Sequence, residues 1–283
     1  MVEGAVTTSP WVAPRRRAKD LRERHAFAAQ VLGVYLALLD VWEESWENAR
    51  TDLDASADIA AWSAEHVLPR VVAATAATGP APLVDELLDL GSAEPAVRVQ
   101  LLRDWLQGEE LAPAFEYLAR ATLRGPLAAT DAAAITNDPA SGSAPRSARH
   151  CPRCGGLPQL SLRSNTKDNL ATGIRKLQCA RCSHTWPFAS AACASCGELE
   201  GGRLTFYSEE RPGMQVARGD NGDATFPHVR IAACSSCERY VIDIDLNRDP
   251  LAVPEVDELA ALPLDLYAAE HGLTKITPNM MGF

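Results

Sequence analysis

The first 150 residues contain no cysteine, and none of the common catalytic signatures occurs anywhere in the chain. A GxGxxG fingerprint, a GxxxxGK[ST] loop, a GxSxG elbow and an HExxH pair are all missing. Their absence removes the usual dinucleotide, nucleotide-triphosphate, serine-hydrolase and zinc-protease readings. No apolar run reaches 18 residues without a charge, so insertion into a membrane is not expected. Gly (18) and Pro (19) are too few among 283 residues for a disordered or collagenous chain. Basic residues are the minority, 27 Lys and Arg against 37 Asp and Glu, for a formal net charge of −10. That balance makes nucleic acid an unlikely partner for the chain as a whole.

What is present is an ordinary globular composition, 47% apolar and 23% charged, long enough for two domains that each bury a core. The charge is uneven. Residues 1–145 carry 12 basic and 21 acidic side chains, residues 146–186 carry 8 and 1, and residues 187–283 carry 7 and 15. A basic island thus lies between two acidic stretches.

Arg15, Arg16 and Arg17 stand before an uncharged run from Ala26 to Leu39, superficially like a twin-arginine export signal. Asp20, Arg22, Glu23, Arg24 and His25 separate the two, and no small-residue cleavage site follows. Phe27, Val31, Val34, Tyr35, Leu38, Val41, Trp42 and Trp46 instead recur at intervals of three and four, which predicts an amphipathic core helix. The pattern predicts one long helix over 16–49, a second over 56–78 opening near Ser56, and shorter ones over 81–90, 94–107 and 111–129. Gly91, Pro95, Gly108 and Pro113 mark the joints, for a bundle of about four to six helices. The stretch TNDPASGSAPRSAR, 136–149, reads as a linker. Beyond it, 159–163, 203–208 and 240–246 read as strands, and 254–271 as a helix stopped by Gly272. The acidic pairs Glu43-Glu44 and Glu109-Glu110 read as solvated helix faces, and His228 and Tyr207 have no motif around them.

All eight cysteines lie in C-x-x-C pairs: Cys151/Cys154, Cys179/Cys182, Cys193/Cys196 and Cys234/Cys237. Such a pair can turn both sulfurs towards one cation if the backbone folds into a knuckle. The knuckle needs a residue tolerant of positive φ just after its second cysteine. Gly155 and Gly197 hold that place in the first and third pairs. Two knuckles make a four-thiolate site suited to zinc or iron. Sequential pairing gives one site from Cys151, Cys154, Cys179 and Cys182 and another from Cys193, Cys196, Cys234 and Cys237; interleaved pairing is the alternative. Redox dithiols are a competing reading, although those proteins usually carry one pair beside a βαβ unit. His184 is a substitute ligand if one cysteine is not used. Arg153, Arg163, Arg175, Lys176 and Arg181 are expected to neutralise the first site, with Arg203, Arg230 and Arg239 near the second. Trp186 and Phe188 are expected to pack between knuckles. Reduced dithiols suit the cytoplasm better than an oxidising compartment.

The succession CPRCGGLPQLSLRS, GIRKLQCARCSHTW, AACASCGELEGGRLTFYSEE and CSSCERYVIDIDL, closed by VDELAALPLDLYAAEHGLTKITPNMMGF, resembles the FdhE family of formate dehydrogenase accessory proteins. The specific motifs cover roughly residues 150–283. The resemblance implies an α+β multidomain chain: an α-helical bundle (1–135), the linker (136–149), two small rubredoxin-like or zinc-ribbon β modules (150–188 and 189–247) and a C-terminal helical segment (248–283). It also implies two metal ions on the eight cysteines, iron by preference with zinc possible. The implied role is that of a cytoplasmic, non-enzymatic maturation factor that contacts the molybdenum-containing catalytic subunit of formate dehydrogenase.

Overall fold

The computed structural model describes residues 9–54, 57–130, 147–164, 174–200, 202–209 and 224–282. Most of the expected linker, 136–146, and Ser56 lie outside the described residues. The N-terminal half consists of α1 (Val12–Arg24), a 3-10 turn (Ala26–Ala28), α2 (Ala29–Asp52), α3 (Ile59–His66), α4 (Leu68–Thr78), α5 (Ala81–Gly91), α6 (Pro95–Gln107) and α7 (Pro113–Ala129). It therefore has seven α-helices among the described residues, more than the pattern predicts.

The extra helices come from breaks inside expected ones. The 16–49 helix stops at His25, whose backbone is extended (φ −127°, ψ 92°). This lets α1 fold back on α2, where Arg15 pairs with Asp40 at 2.6 Å and Glu43 at 2.9 Å. The 56–78 helix breaks at Val67, because Pro69 has no N–H to continue a ladder and sits in the first turn of a new helix. The first of those two helices opens on Asp58, which accepts from the Ala60 and Ala61 N–H groups at 3.1 Å. Glu43 and Glu44 are not merely solvated: Glu44 pairs with Arg70 of α4.

The long apolar helix is the axis of the bundle. Residues Ala26–Asp52 are long and apolar enough, by length and composition, to cross a membrane. Here Leu32, Tyr35, Leu38, Leu39 and Trp42 are instead fully buried in the core. Trp42 donates from Nε1 to the Ala121 carbonyl of α7 at 2.7 Å. The two helices approach so closely at Gly125 that a Cβ there would lie 2.1 Å from Ser45 Oγ.

The C-terminal half is built on β1 (Pro158–Ser164), β2 (Ile174–Cys179), β3 (Thr185–Pro187), β4 (Leu204–Tyr207), β5 (Val229–Cys234) and β6 (Arg239–Asp245). Then come α8 (Pro254–Ala260), α9 (Leu262–Glu270) and a short β7 (Thr274–Lys275). The expected 254–271 helix is split by Pro263, and Gly272 follows its end at φ 72°, as a helix stop does. The strands form one sheet in the order β3-β2-β1-β6-β5-β4, with β7 on β6. The two cysteine modules are therefore joined edge to edge. Leu160, Leu162 and Arg163 of β1 run parallel to Ile242, Ile244 and Asp245 of β6.

One face of this sheet lies on the helices. Leu160, Leu162, Ile231, Ile242 and Ile244 share a continuous core with α1, α2, α4 and α8. The opposite face carries Val241, Ala232 and Leu177 into a smaller core with Trp186, Cys151, Cys154 and Cys179. The alternation expected in 240–246 is present, but the strand is buried on both sides, down to a fully buried Asp243.

Candidate metal centres

All four C-x-x-C segments adopt one backbone form. The N–H four residues on bonds to the carbonyl of each first cysteine: Gly155 to Cys151 (2.9 Å), Ser183 to Cys179 (3.1 Å), Gly197 to Cys193 (3.0 Å) and Glu238 to Cys234 (2.9 Å). The bonding residue has a positive φ each time: Gly155 at 73°, Ser183 at 55°, Gly197 at 81° and Glu238 at 56°. Glycine carries this at no steric cost, and the sequence shows it there. Ser183 and Glu238 hold the same left-handed conformation at a cost of about 1–2 kcal/mol each, which only the rest of the knuckle can offset. Backbone N–H groups also reach the sulfurs, Arg181 to Cys179 and Ser195 to Cys193, both at 3.3 Å.

The knuckles pair sequentially. Cys151, Cys154, Cys179 and Cys182 form one cluster, and Cys193, Cys196, Cys234 and Cys237 the other. Interleaved pairing does not occur, and His184 belongs to neither cluster. In the first, sulfur separations include 3.4 Å for Cys154–Cys179 and 3.7 Å for Cys151–Cys182; in the second, Cys193–Cys237 and Cys196–Cys234 are 3.8 Å apart. A tetrahedron with metal–sulfur bonds of about 2.3 Å has edges of about 3.8 Å. None of the eight is in a disulfide. The donor set and its spacing therefore fit a tetrahedral cation. Thiols packed this closely also compete for protons: contacts with its neighbours pull Cys151 far below the usual thiol range, and such contacts push Cys179 and Cys182 above it.

The surroundings of the two clusters differ. The first is wrapped by the helical half. Arg181 donates to the Cys154 carbonyl at 3.1 Å and lies over the Trp105 ring of α6. From α7, Arg124 donates to Ser183 and, at 2.5 Å, to Glu255. Neighbouring Arg120, also on α7, donates to the Pro278 carbonyl and to Gln159. Burial lowers the Arg120 pKa, while Glu116 and Glu258 favour its cation. Buried cations beside four sulfurs suit a metallated site whose net charge is near −2. The second cluster is more open: Cys196 is exposed and Cys237 partly so, whereas in the first cluster Cys182 is partly exposed and the other three are buried.

A chelator should accordingly remove metal in two phases of equal amplitude. Alkylation trapped during the fast phase should mark Cys196 and Cys237 before Cys151 or Cys154, as read by mass spectrometry. A single phase, or early labelling of Cys151, would contradict this difference in cover.

The basic island is only partly where the sequence places it. Arg181 is at the first site. Arg163 is not: it donates to Asp243 at 2.8 Å, as does Arg230. Burial alone would raise the pKa of Asp243, but those two arginines overcome it and hold the carboxyl below its usual range. Arg175 also faces away from the first site, towards Ser161 and the 189–192 loop. The second site instead gains Arg149, which donates to the Ser195 carbonyl and lies against Gly197. Trp186 packs with Cys151, Cys154 and Cys179 as expected, and Phe188 is partly buried against the same group.

His228, which no sequence motif distinguishes, lies in a third group with Asp249 and Asp257. This group already holds its own cation. Arg17 reaches Asp257 through Nε at 3.0 Å and Asp249 through Nη2 at 2.6 Å, and His228 Nε2 is 2.7 Å from Asp257. It fastens α1 to α8.

Residues 191–281 match the family model described as "FdhE, C-terminal domain". An FdhE homolog of Aquifex aeolicus is 31% identical over 134 residues, which cover 47% of this chain and 42% of that protein. One from Pseudomonas aeruginosa is 30% identical over 132 residues, covering 46% of this chain and 38% of that one. The aligned region thus spans about two-fifths of these relatives. The crystal structure of the FdhE protein from Pseudomonas aeruginosa superposes with a TM-score of 0.67 at 22% identity, covering 97% of each chain. That likeness concerns the fold, and the α+β architecture read from the sequence is borne out by it. The resemblance carried by the cysteine motifs is borne out as well.

Proposed function

We propose that this chain, of the FdhE family in its C-terminal domain, is a cytoplasmic accessory protein for formate dehydrogenase maturation and not itself an enzyme. Its eight cysteines hold two metal ions. The sheet that joins the two sites is a rigid platform for the immature molybdenum-containing catalytic subunit. Iron and zinc both suit four thiolates, and the resemblance favours iron. The observation that carries the reading is the identical folding of all four knuckles into two clusters with tetrahedral spacing. A dithiol oxidoreductase needs one reactive pair and gains nothing from four sulfurs converging on a point. A nucleic-acid reading is weakened because Arg163, Arg175 and Arg181 of the basic island are engaged within the fold.

Co-purification is the test. Tagged chain expressed with a formate dehydrogenase catalytic subunit should retain that subunit, and a host lacking the chain should make inactive enzyme. Full formate dehydrogenase activity in its absence would overturn the assignment.

A further inference from the structure

Arg175 lies on β2, the strand that ends in the first-cluster ligand Cys179, yet its guanidinium serves the other module. It is 2% exposed. Nε donates to Ser161 Oγ at 2.7 Å, and Ser161 passes that bond to Asp243 at 2.6 Å. Nη1 donates to the carbonyls of Ala192 at 2.6 Å and Ala189 at 3.3 Å. Those residues form a turn, Ala192 N–H to Ala189 carbonyl at 3.2 Å, that delivers the chain directly into Cys193. The group also lies 5.5 Å from the centre of the Phe188 ring, and Phe188 N–H bonds back to the Arg175 carbonyl.

Among the described residues, the charge around this guanidinium does not balance. Three arginines, Arg163, Arg175 and Arg230, surround one carboxylate, Asp243, and two of them already pair with it directly. Nη2 of Arg175 is buried with no hydrogen-bond partner among the described residues. A buried orphan donor on a cation is costly to leave unpaired. Burial lowers the Arg175 pKa, against which Asp243 and, more weakly, the Cys193 sulfur favour the cation. A second cluster carrying four thiolates and a divalent ion would supply negative charge where the fold lacks it.

We propose that Arg175 couples the two cysteine clusters. It stands on the first cluster's hairpin, shapes the loop that presents Cys193, and is balanced by the loaded second cluster. The inference rests on the metal reading above. It predicts an asymmetric defect: damage on the first module's strand should empty the second module's site.

The test compares wild type, Arg175→Lys, Arg175→Met and a Cys193→Ser/Cys196→Ser chain, each loaded with cobalt(II) or zinc(II). Lysine keeps the charge but cannot bond both carbonyls and Ser161 together. Both Arg175 variants should keep the helical circular dichroism signal and drop from two ions per chain to one. The thiolate-to-cobalt absorption should halve, as in the double-serine chain, and the surviving ion should leave with the slow chelator phase. Two ions with unchanged release kinetics would overturn the coupling while leaving the metal reading intact. Loss of both ions, or an unfolded Arg175→Lys chain, would overturn it too, since Arg175 would then serve the whole fold. Wild type that binds no ion would remove the metal reading first and the coupling with it.

Discussion

Cys179→Ala should release the first ion, unfold the first module and, because β2 carries Arg175, empty the second site as well, while the helical half persists. Cys179 is buried, ends β2 and belongs to the cluster that α7 covers. Structural zinc contributes an apparent ~10–16 kcal/mol in small metal-folded domains. A single domain is stable by only ~5–15 kcal/mol. A hairpin of six-residue β2 and three-residue β3 has little else to hold it. The loss should spread to the β1 edge, because β1 bridges β2 and β6. Limited proteolysis should open sites between 147 and 187, and the near-ultraviolet signal of Trp186 should fade. An ion count still at two, with protection unchanged, would refute this.

Asp257→Ala should be the most damaging substitution away from the cysteines, at about 3–5 kcal/mol, the usual cost of stranding one partner of a buried ion pair. Asp257 is fully buried at the start of α8. It holds Arg17 from a helix 240 residues away in sequence, accepts from the Val253 N–H at 2.8 Å and faces His228. Alanine leaves a buried guanidinium with Asp249 as its one remaining carboxylate among the described residues. The Arg17→Met/Asp257→Leu double variant should recover much of the loss, since two well-packed apolar groups replace two charges. Urea unfolding followed by circular dichroism measures both. An Asp257→Ala loss under about 1 kcal/mol would place the pair in the class of weak surface bridges.

The candidate metal centres are legible because their chemistry is written in spacing. Four C-x-x-C pairs in order predict two clusters in order, and Gly155 and Gly197 announce the left-handed turn that two of the knuckles need. The same turn at Ser183 and Glu238 left no trace, since neither residue type signals a positive φ. The packing of Trp186 is legible too, because a large aromatic four residues beyond a basic, cysteine-rich turn has few other places to bury itself.

Other features depend on long-range contacts that spacing does not encode. The β1–β6 pairing unites segments about 80 residues apart and turns two modules into one sheet. Asp243 alternates like a solvent-facing residue, but Arg163 and Arg230 meet it from two other strands and allow its burial. The acidic run Glu255–Glu258 resembles the solvated start of a helix. It is satisfied by Arg124 from α7, Arg17 from α1 and Lys275 from β7. The break at His25 is set by the fold-back of α1 onto α2, not by a helix-breaking residue.

The most direct measurement is an ion count on chain purified without chelator, paired with thiol titration before and after denaturation. Two tetrahedral thiolate sites predict two bound ions per chain, with most sulfurs unreactive until the ions are removed and all eight reactive afterwards. Eight freely reactive thiols, or four disulfides, with no ion in stoichiometric amount would contradict the account.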